Sequence, residues 1–209
     1  MRYRTLGKTE LTVSELSLGG GMFKAGSKES IDKAERIVRR AFDLGINYID
    51  TAPAYGESEK VIGEILKRIG KECIISTKLG GRPEPFDPKN KKSLRSSFET
   101  SLRNLNLDRV EILMIHEPDR PKQYDWYNDY DNFTGPVTEL ISELKEEGLI
   151  QYAGIAGTTV YEMINLIKTG FFDVVLSAFN SSLLWQESIR YLVPEAFKQE
   201  MGIILGSPL

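Results

Sequence analysis

Residues 110–116 read Val-Glu-Ile-Leu-Met-Ile-His, and this short apolar run decides the fold. From Val110 to Ile115 only one residue is charged, which predicts a strand that is buried on both of its faces. Strands of this kind are typical of parallel sheets, because helices cover such sheets on the outside. The run therefore indicates an α/β protein.

Similar apolar segments recur on both sides of this strand. The predicted strands are Glu15–Leu18, Asn47–Asp50, Ile74–Lys78, Val110–Ile115, Ile150–Ile155, Val174–Leu176 and Gly202–Leu205. Most begin about 25 to 40 residues apart, which is the size of a repeated βα unit. The pattern predicts seven strands with six helices between them.

The intervening segments carry apolar residues at helical spacing. The second of these helices has Ser58 as its expected N-cap and Gly70 beyond its end. Thr159 and Glu162 have the spacing of a capping box and open a short helix. A longer helix runs through roughly 186–199, and Pro194 should kink or divide it.

Parallel strands with helices between them form either an open doubly wound sheet or a closed (β/α)8 barrel. The open dinucleotide-binding sheet requires Gly-x-Gly-x-x-Gly after its first strand, and the run Gly19–Gly21 is not followed by the third glycine. We therefore predict a TIM barrel, with a hairpin (Tyr3–Leu6 and Leu11–Val13) capping its bottom. A complete barrel has eight strands and about 250 residues. The expectation is one barrel domain over residues 1–209 that lacks strand eight.

The composition excludes several classes of protein. The 209 residues include 27 Lys plus Arg and 30 Asp plus Glu, a net charge of −3, and 41% are hydrophobic. A chain of this kind can build a core, and it has no overall basic surface for nucleic acid. No apolar run approaches the roughly 18 residues of a membrane helix. A single cysteine suits a reducing compartment, so we expect a cytoplasmic protein with no nucleic-acid, membrane or metal partner.

Four titratable side chains follow three adjacent strands. Asp50, Lys78 and His116 end their strands, and Tyr55 lies in the loop after the first of them. In barrels of this type the reactive residues lie at the C-terminal strand ends and in the loops that follow. A lysine that closes an apolar strand is buried or nearly so and needs a charged partner, for which Asp50 is the obvious candidate. Taken singly, Asp50 could equally cap a loop, and a lone tyrosine or core histidine is more often structural than catalytic. Lys78 is the hardest of the four to explain by packing alone.

Together the four groups suit proton transfer to an oxygen. Tyrosine is a poor proton donor at neutral pH, and a nearby ammonium makes it a better one by stabilising the phenolate. A carboxylate behind the lysine holds the amine charged and fixed. A neutral imidazole can bind a substrate oxygen without adding charge. The set could protonate a carbonyl oxygen as hydride reaches the carbon, or run the reverse oxidation.

With these residues in place, the chain resembles the aldo-keto reductase superfamily over nearly its whole length, and in particular its aldose and galactose dehydrogenase-like branch. The resemblance is carried by Arg4–Gly7, Leu11–Ser14, Asp50–Gly56, Ser58–Glu59, Thr77–Lys78, Ser101–Leu105, Leu107–Val110 and Ile115–Asp119. It implies that Tyr55 is the general acid/base, that Lys78 tunes it, that Asp50 supports Lys78 and that His116 orients the carbonyl. Activity would be NAD(P)-dependent oxidoreduction of an aldehyde, ketone or sugar lactol.

The resemblance also implies a cofactor across the barrel mouth, with NADP(H) favoured over NAD(H). Its expected contacts are Gly20, Gly21, Met22, Asp50, Gly157, Ser177, Ser207 and Leu209. Ala156-Gly157 and Ser177 stand where many family members have a Ser-Asn pair and a Gln that hold the nicotinamide carboxamide, and Gly206 stands where many have a stacking aromatic residue.

Those replacements and the missing strand leave a second function open. The chain could be a non-catalytic or shortened barrel that binds nucleotide or a partner protein. Its exposed barrel edges would then favour self-association, because unpaired strand edges are sites of pairing. The aromatic and acidic loop after His116, with Tyr124, Trp126, Tyr127 and Tyr130, suits a sugar at the mouth and suits an ordinary surface loop equally well.

Overall fold

A computed structural model describes residues 1–24, 26, 28–81, 86–120 and 125–208 of the chain. A hairpin of β1 (Tyr3–Thr5) and β2 (Thr12–Ser14) comes first. The strands that follow are β3 (Leu18–Gly19), β4 (Tyr48–Asp50), β5 (Ile74–Leu79), β6 (Val110–His116), β7 (Ile150–Gly157), β8 (Val174–Ala178) and β9 (Gly202–Gly206).

The seven strands β3 to β9 form one sheet, in the order of the sequence, with every neighbouring pair parallel. The sheet curls into an incomplete barrel of the (β/α)8 type, so the predicted fold class is confirmed. Within the described residues, β3 and β9 each pair on one side only. The C-terminal ends of all seven strands therefore lie along one rim, which is the mouth of the barrel.

Helices connect successive strands and cover the outside of the sheet. They are α1 (Lys28–Asp43), α2 (Ser58–Ile69), α3 (Lys91–Leu105), α4 (Pro136–Glu146), α5 (Val160–Lys168) and α6 (Val193–Lys198). Two short 3-10 helices, Gly20–Met22 and Pro53–Tyr55, follow β3 and β4 at the mouth. The helical pattern predicted from the sequence is thus present between each pair of strands.

Alternation along the strands separates two apolar cores. Ile112 and Met114 of β6 belong to a small cluster inside the barrel, whereas Leu113 and Ile115 belong to the larger cluster between the sheet and the helices. Because strand side chains alternate with a period of two, both faces of β6 are buried. This is the arrangement that the apolar run at residues 110–115 predicts.

The hairpin closes the bottom of the barrel, as predicted. Leu6 and Val13 join the inner cluster with Tyr48 and Val174, which are the first residues of β4 and β8. The backbone N–H of Glu10 donates a hydrogen bond to the Tyr152 hydroxyl at 2.9 Å. The opposite rim is left for the site.

Two local predictions are wrong. The strand expected at Glu15–Leu18 is Leu18–Gly19, because the Glu15 backbone N–H donates to the Arg2 carbonyl beside the hairpin and the Ser14 hydroxyl donates to the Leu16 carbonyl. Ser58 does not cap α2. Its hydroxyl donates to the carbonyl of Gly20 at 2.7 Å and so links the start of α2 to the loop after β3.

Pro194 divides the helix expected over residues 186–199. A π-helical segment, Ser188–Leu192, runs directly into α6, in which Pro194 occupies the first turn. The Val193 N–H donates to the Ser188 carbonyl, so the wider π-helical turn comes directly before the proline, which has no amide to continue the hydrogen-bond ladder. In the described part of the chain, no helix combines the length and apolar character that crossing a bilayer requires.

The contact between α2 and α3 yields a test of the packing. A Cβ added at Gly63 would lie 2.2 Å from the carbonyl oxygen of Asn104, so Gly63→Ala must push the two helices apart. We expect the free energy of unfolding, measured in urea, to fall by about 1–3 kcal/mol. Helix propensity alone would raise it. The matched control is Gly19→Ala, whose Cβ meets no atom within 4 Å at a φ of −78° and should change stability little. An unchanged or higher stability for Gly63→Ala would contradict the close approach.

Candidate functional site

A hydrogen-bonded chain of polar groups runs along the inner faces of β4 and β5. The Ser76 hydroxyl donates to Asp50 Oδ1 at 2.6 Å, and the Tyr48 hydroxyl lies 2.7 Å from Ser76 Oγ. Because serine has one hydroxyl proton, which goes to Asp50, Tyr48 must donate to Ser76. Burial, and then the Asp50 carboxylate, raise the pKa of Tyr48 well above its ordinary value, so it stays a donor.

Lys78 continues this chain toward the mouth. Its side chain is 1% exposed, and Nζ donates to Asp50 Oδ2 at 2.7 Å and to the Thr51 carbonyl at 2.8 Å. The period of two on β5 places Lys78 on the same inner face as Ser76. A buried ammonium requires such partners, so the pairing expected from the sequence is present.

Tyr55 stands beside the lysine. It ends the 3-10 helix Pro53–Tyr55, and its side chain is half-buried. Lys78 Nζ lies 4.8 Å from the centroid of the phenol ring, within the range of a cation–π contact. The positive charge on β5 therefore acts directly on the aromatic system of Tyr55.

The segment after Tyr55 is held by buried links on both sides. Ser58 reaches the loop after β3, as described above. The Thr77 hydroxyl, on the outer face of β5, donates to the fully buried carboxylate of Glu59 at 2.6 Å. These links anchor the first turn of α2 and so restrict the position of the loop that carries Tyr55.

His116 completes the group from the end of β6. Its ring meets the Tyr55 ring edge-on, with centroids 5.7 Å apart and planes at 89°. Burial, assisted by the charges of Lys78 and Arg120, lowers the pKa of His116 to about 3. The imidazole is therefore neutral at physiological pH and can hydrogen-bond a ligand without carrying charge.

A surface cavity of about 420 Å³ opens beside Tyr55. It is lined by Gly21, Lys24, Ala54, Tyr55, Gly56 and Glu57. The phenol thus borders open space on one side and the buried lysine on the other. A proton can pass from such a group to a bound oxygen without either charge of the Lys78–Asp50 pair leaving its place.

The residues predicted to contact a cofactor lie around the same rim. Gly20, Gly21 and Met22 form the short helix after β3, and Met22 is 85% exposed. Ser207 follows β9 and is exposed. Leu209 lies outside the described residues.

Gly157 and Ser177 lie opposite each other at the ends of β7 and β8. Ser177 is fully buried and alternates with Leu176 and Ala178, which pack on the inner cluster. By that alternation its side chain faces the helices, and its hydroxyl makes no hydrogen bond to any described residue. A contact from Ser177 to a ligand in the mouth would therefore use its backbone.

The aromatic loop after β6 divides between core and surface. Trp126 and Tyr127 are fully buried, and they pack on Phe86 and Phe133 with ring centroids 5.3 and 5.4 Å apart, respectively. These two side chains serve the core rather than an open sugar-binding face. Tyr124 lies outside the described residues.

The chemistry of one further residue is not apparent from the sequence pattern. Asp119 is buried, and its Oδ2 accepts hydrogen bonds from the backbone N–H groups of Thr158 and Thr159 at 2.9 and 2.6 Å. The capping box predicted at Thr159 is wrong, because this carboxylate from another loop takes its place and the Thr159 side chain makes no capping bond within the described chain. The only signal was a carboxylate three residues after His116.

The fold and this cluster define a parallel α/β barrel whose mouth holds a tyrosine, a lysine, an aspartate and a histidine. The chain belongs to the aldo/keto reductase family, whose model matches residues 15–209. The family expected from the sequence is thereby confirmed.

Several named proteins are similar to this chain. L-galactose dehydrogenase from Arabidopsis thaliana is 32% identical over 218 residues, covering 99% of this chain and 65% of that protein. D-threo-aldose 1-dehydrogenase from a Pseudomonas species is 27% identical and covers 90% of this chain and 62% of its own length. NADH-specific methylglyoxal reductase from Escherichia coli is 28% identical, and the match covers 100% of this chain and 68% of that protein.

Solved structures agree with these matches. An aldo-keto reductase from Bacillus halodurans, in its holo form, superposes with a TM-score of 0.78 at 26% identity, covering 98% of this chain and 65% of that one. The chain thus spans about two thirds of the length of the proteins that it resembles.

The lowered pKa of His116 predicts a pH dependence of stability. An unfolded histidine titrates near 6.5, whereas the folded one titrates near 3. As pH falls through 6.5 the unfolded state gains a proton first, so stability is lost between these values and is intact above them. From pH 7 to pH 4.5 we expect wild type to lose about 2 kcal/mol more unfolding free energy than His116→Asn.

Urea unfolding of both proteins at a series of pH values measures this difference. Groups other than His116 titrate in both proteins and cancel in the comparison. Parallel curves for wild type and His116→Asn would show that the imidazole is not held neutral by the fold.

Proposed function

We propose that this chain acts in an NAD(P)-dependent oxidoreductase that interconverts an aldehyde, ketone or sugar lactol with its alcohol or lactone, with Tyr55 as general acid/base. The observation that carries the proposal is the buried Lys78 ammonium 4.8 Å from the ring of Tyr55, at a cavity that Tyr55 itself lines. The names of the relatives, two sugar dehydrogenases and a methylglyoxal reductase, support the substrate class.

In the proposed reduction, the Tyr55 hydroxyl gives its proton to the carbonyl oxygen of the substrate. The Lys78 ammonium stabilises the phenolate that forms, because it is positive and close. Asp50 keeps that ammonium charged and fixed, with the Thr51 carbonyl as its second acceptor. In the oxidation the same phenolate takes the proton of the substrate hydroxyl.

His116 is proposed to orient the substrate oxygen. A neutral imidazole offers one N–H donor and adds no positive charge beside Lys78. Its edge-on contact with Tyr55 brings the two rings to the same side of the mouth. An oxygen that is hydrogen-bonded by both groups would be held for proton transfer.

The residues at the rim are compatible with a nicotinamide dinucleotide. Gly21 lines the cavity, and the nearest atom to a Cβ built there is Tyr55 Cδ2 at 3.9 Å, so the space between Gly21 and the phenol is open. We propose that Gly20, Gly21, Met22, Asp50, Gly157, Ser177 and Ser207 hold it. Gly157 on β7 and Ser177 on β8 would contact it through backbone atoms. When bound, the dinucleotide supplies the hydride. Preference for NADP(H) is proposed from the resemblance, although one relative is named as NADH-specific.

The remaining expectations stay proposals. These are a single barrel domain over residues 1–209, a cytoplasmic location, no nucleic-acid partner and self-association through the barrel edges. The last is supported by β3 and β9, which pair on one side only within the described residues.

A non-catalytic barrel that binds nucleotide is the second candidate. It is favoured by Ser177, whose side chain faces the helices at the place where the family resemblance implies a glutamine that holds the nicotinamide carboxamide. Fluorescence titration with NADPH and NADH, together with turnover assays, separates the two. Binding without turnover would favour the second function, and binding with turnover the first.

Replacement of Tyr55 tests the leading proposal. Tyr55→Phe removes only the hydroxyl, so the fold and dinucleotide binding should persist. Reduction of methylglyoxal and oxidation of L-galactose, followed by absorbance at 340 nm, should fall by about 100- to 10,000-fold in whichever reaction wild type catalyses.

Tyr161→Phe is the matched control, because Tyr161 is an exposed tyrosine on α5. It should keep wild-type turnover. Activity within a few fold of wild type in Tyr55→Phe would show that another group transfers the proton.

A further inference from the structure

The loop that leaves His116 is fastened to the neighbouring strand. Glu117, the next residue, has a φ of +54°, and its backbone N–H donates to the Ala156 carbonyl at 2.7 Å. Arg120 then pairs with Glu117 at 3.1 Å and donates to the Thr158 hydroxyl at 2.8 Å. The backbone therefore turns sharply after the imidazole and stays in contact with the end of β7.

Asp119 lies at the centre of these contacts. Its side chain is 3% exposed, and Oδ2 receives the N–H groups of Thr158 and Thr159, the two residues that precede α5. A carboxylate at a helix N-terminus is stabilised both by hydrogen bonds and by the helix dipole. The Asn180 side-chain amide donates to the Thr158 carbonyl at 2.5 Å, which extends the network to the loop after β8.

The other carboxylate oxygen is the unusual one. Oδ1 is buried and accepts no hydrogen bond from any described residue. It lies against Gly157, where an added Cβ would be only 2.3 Å away. Burying a half-satisfied carboxylate costs stability. A residue that only capped α5 could sit at the surface and avoid this cost.

We propose that Asp119 is a positioning residue, whose carboxylate joins the loop of His116 to Gly157–Thr159 and so fixes the imidazole at the barrel mouth. The effect on turnover rests on the function proposed above. The effect on the imidazole itself does not, because it is a property of the folded chain.

His116 is the only histidine, so its imidazole gives unambiguous NMR signals. Long-range ¹H–¹⁵N spectra report its tautomer and titration midpoint without substrate or cofactor. The groups that act on it are Tyr55 by ring contact and Lys78 and Arg120 by charge. Asp119→Ala changes none of these three residues and removes only the carboxylate that bonds the N–H groups of Thr158 and Thr159.

In Asp119→Ala we expect the ring-nitrogen shifts to move toward those of a solvated imidazole, and the titration midpoint to rise from about 3 toward 6.5. Gly157→Ala should act in the same direction, because its Cβ displaces the carboxylate. This second variant carries the test if Asp119→Ala does not fold. Asp119→Asn keeps an acceptor oxygen and should restore a spectrum close to that of wild type.

The matched control is Asp173→Ala. The carboxylate of Asp173 is also mostly buried and accepts the backbone N–H of Ala153 at 2.9 Å, and it pairs with Lys145. Asp173 lies just before β8, at the end of the strand opposite the mouth. Its loss should lower thermal stability but leave the His116 spectrum unchanged. In an active enzyme, kcat/KM should fall roughly 10- to 100-fold for Asp119→Ala and stay near wild type for Asp173→Ala.

The proposal would be overturned if the folded Asp119→Ala and Gly157→Ala variants gave the same His116 spectrum and titration midpoint as wild type. Equal changes in Asp173→Ala would also overturn it, because they would reflect a general loss of stability. If wild type shows no turnover, the function proposed above fails, while the spectra still decide the role of Asp119.

Discussion

One buried ion pair organises the mouth of this barrel. An ammonium that is 1% exposed can remain charged only if nearby acceptors replace its lost hydration, and Lys78 has two of them, the Asp50 carboxylate and the Thr51 carbonyl. Buried ion pairs contribute little net stability, because desolvation offsets most of the attraction. Their presence therefore points to what the charge does for its neighbours. The neighbour that faces open space is Tyr55.

The rest of the structure fixes the geometry of that pair. Parallel pairing of β4 with β5 sets Asp50 beside Ser76, and one hydrogen bond between them orients the carboxylate. Links from α2 to the loop after β3 and to the outer face of β5 hold the segment that carries the phenol. Apolar packing forms the barrel, whereas these few polar contacts fix the Lys78–Asp50 pair and the segment of Tyr55 at its mouth.

Topology explains how much of the site could be predicted from sequence. Strand ends of a parallel sheet share one rim, so Asp50, Lys78 and His116 could be brought together from their places in the sequence alone. Loop paths follow no such rule. The burial of Trp126 and the turn that carries Asp119 to α5 depend on contacts between segments far apart in the chain. The predictions that Ser58 and Thr159 cap their helices were wrong for the same reason. Ser58 bonds the distant Gly20 carbonyl, and the distant Asp119 carboxylate accepts the Thr159 N–H.

A double-mutant cycle on the ion pair tests the central claim most directly. Unfolding free energies would be measured for wild type, Asp50→Asn, Lys78→Met and the double variant. If each charge is buried and depends on the other, either single change leaves an unpaired group, and the double variant loses less than the sum by on the order of 2 kcal/mol. Additive losses would mean that the two charges do not depend on each other, and the account of the barrel mouth would be contradicted.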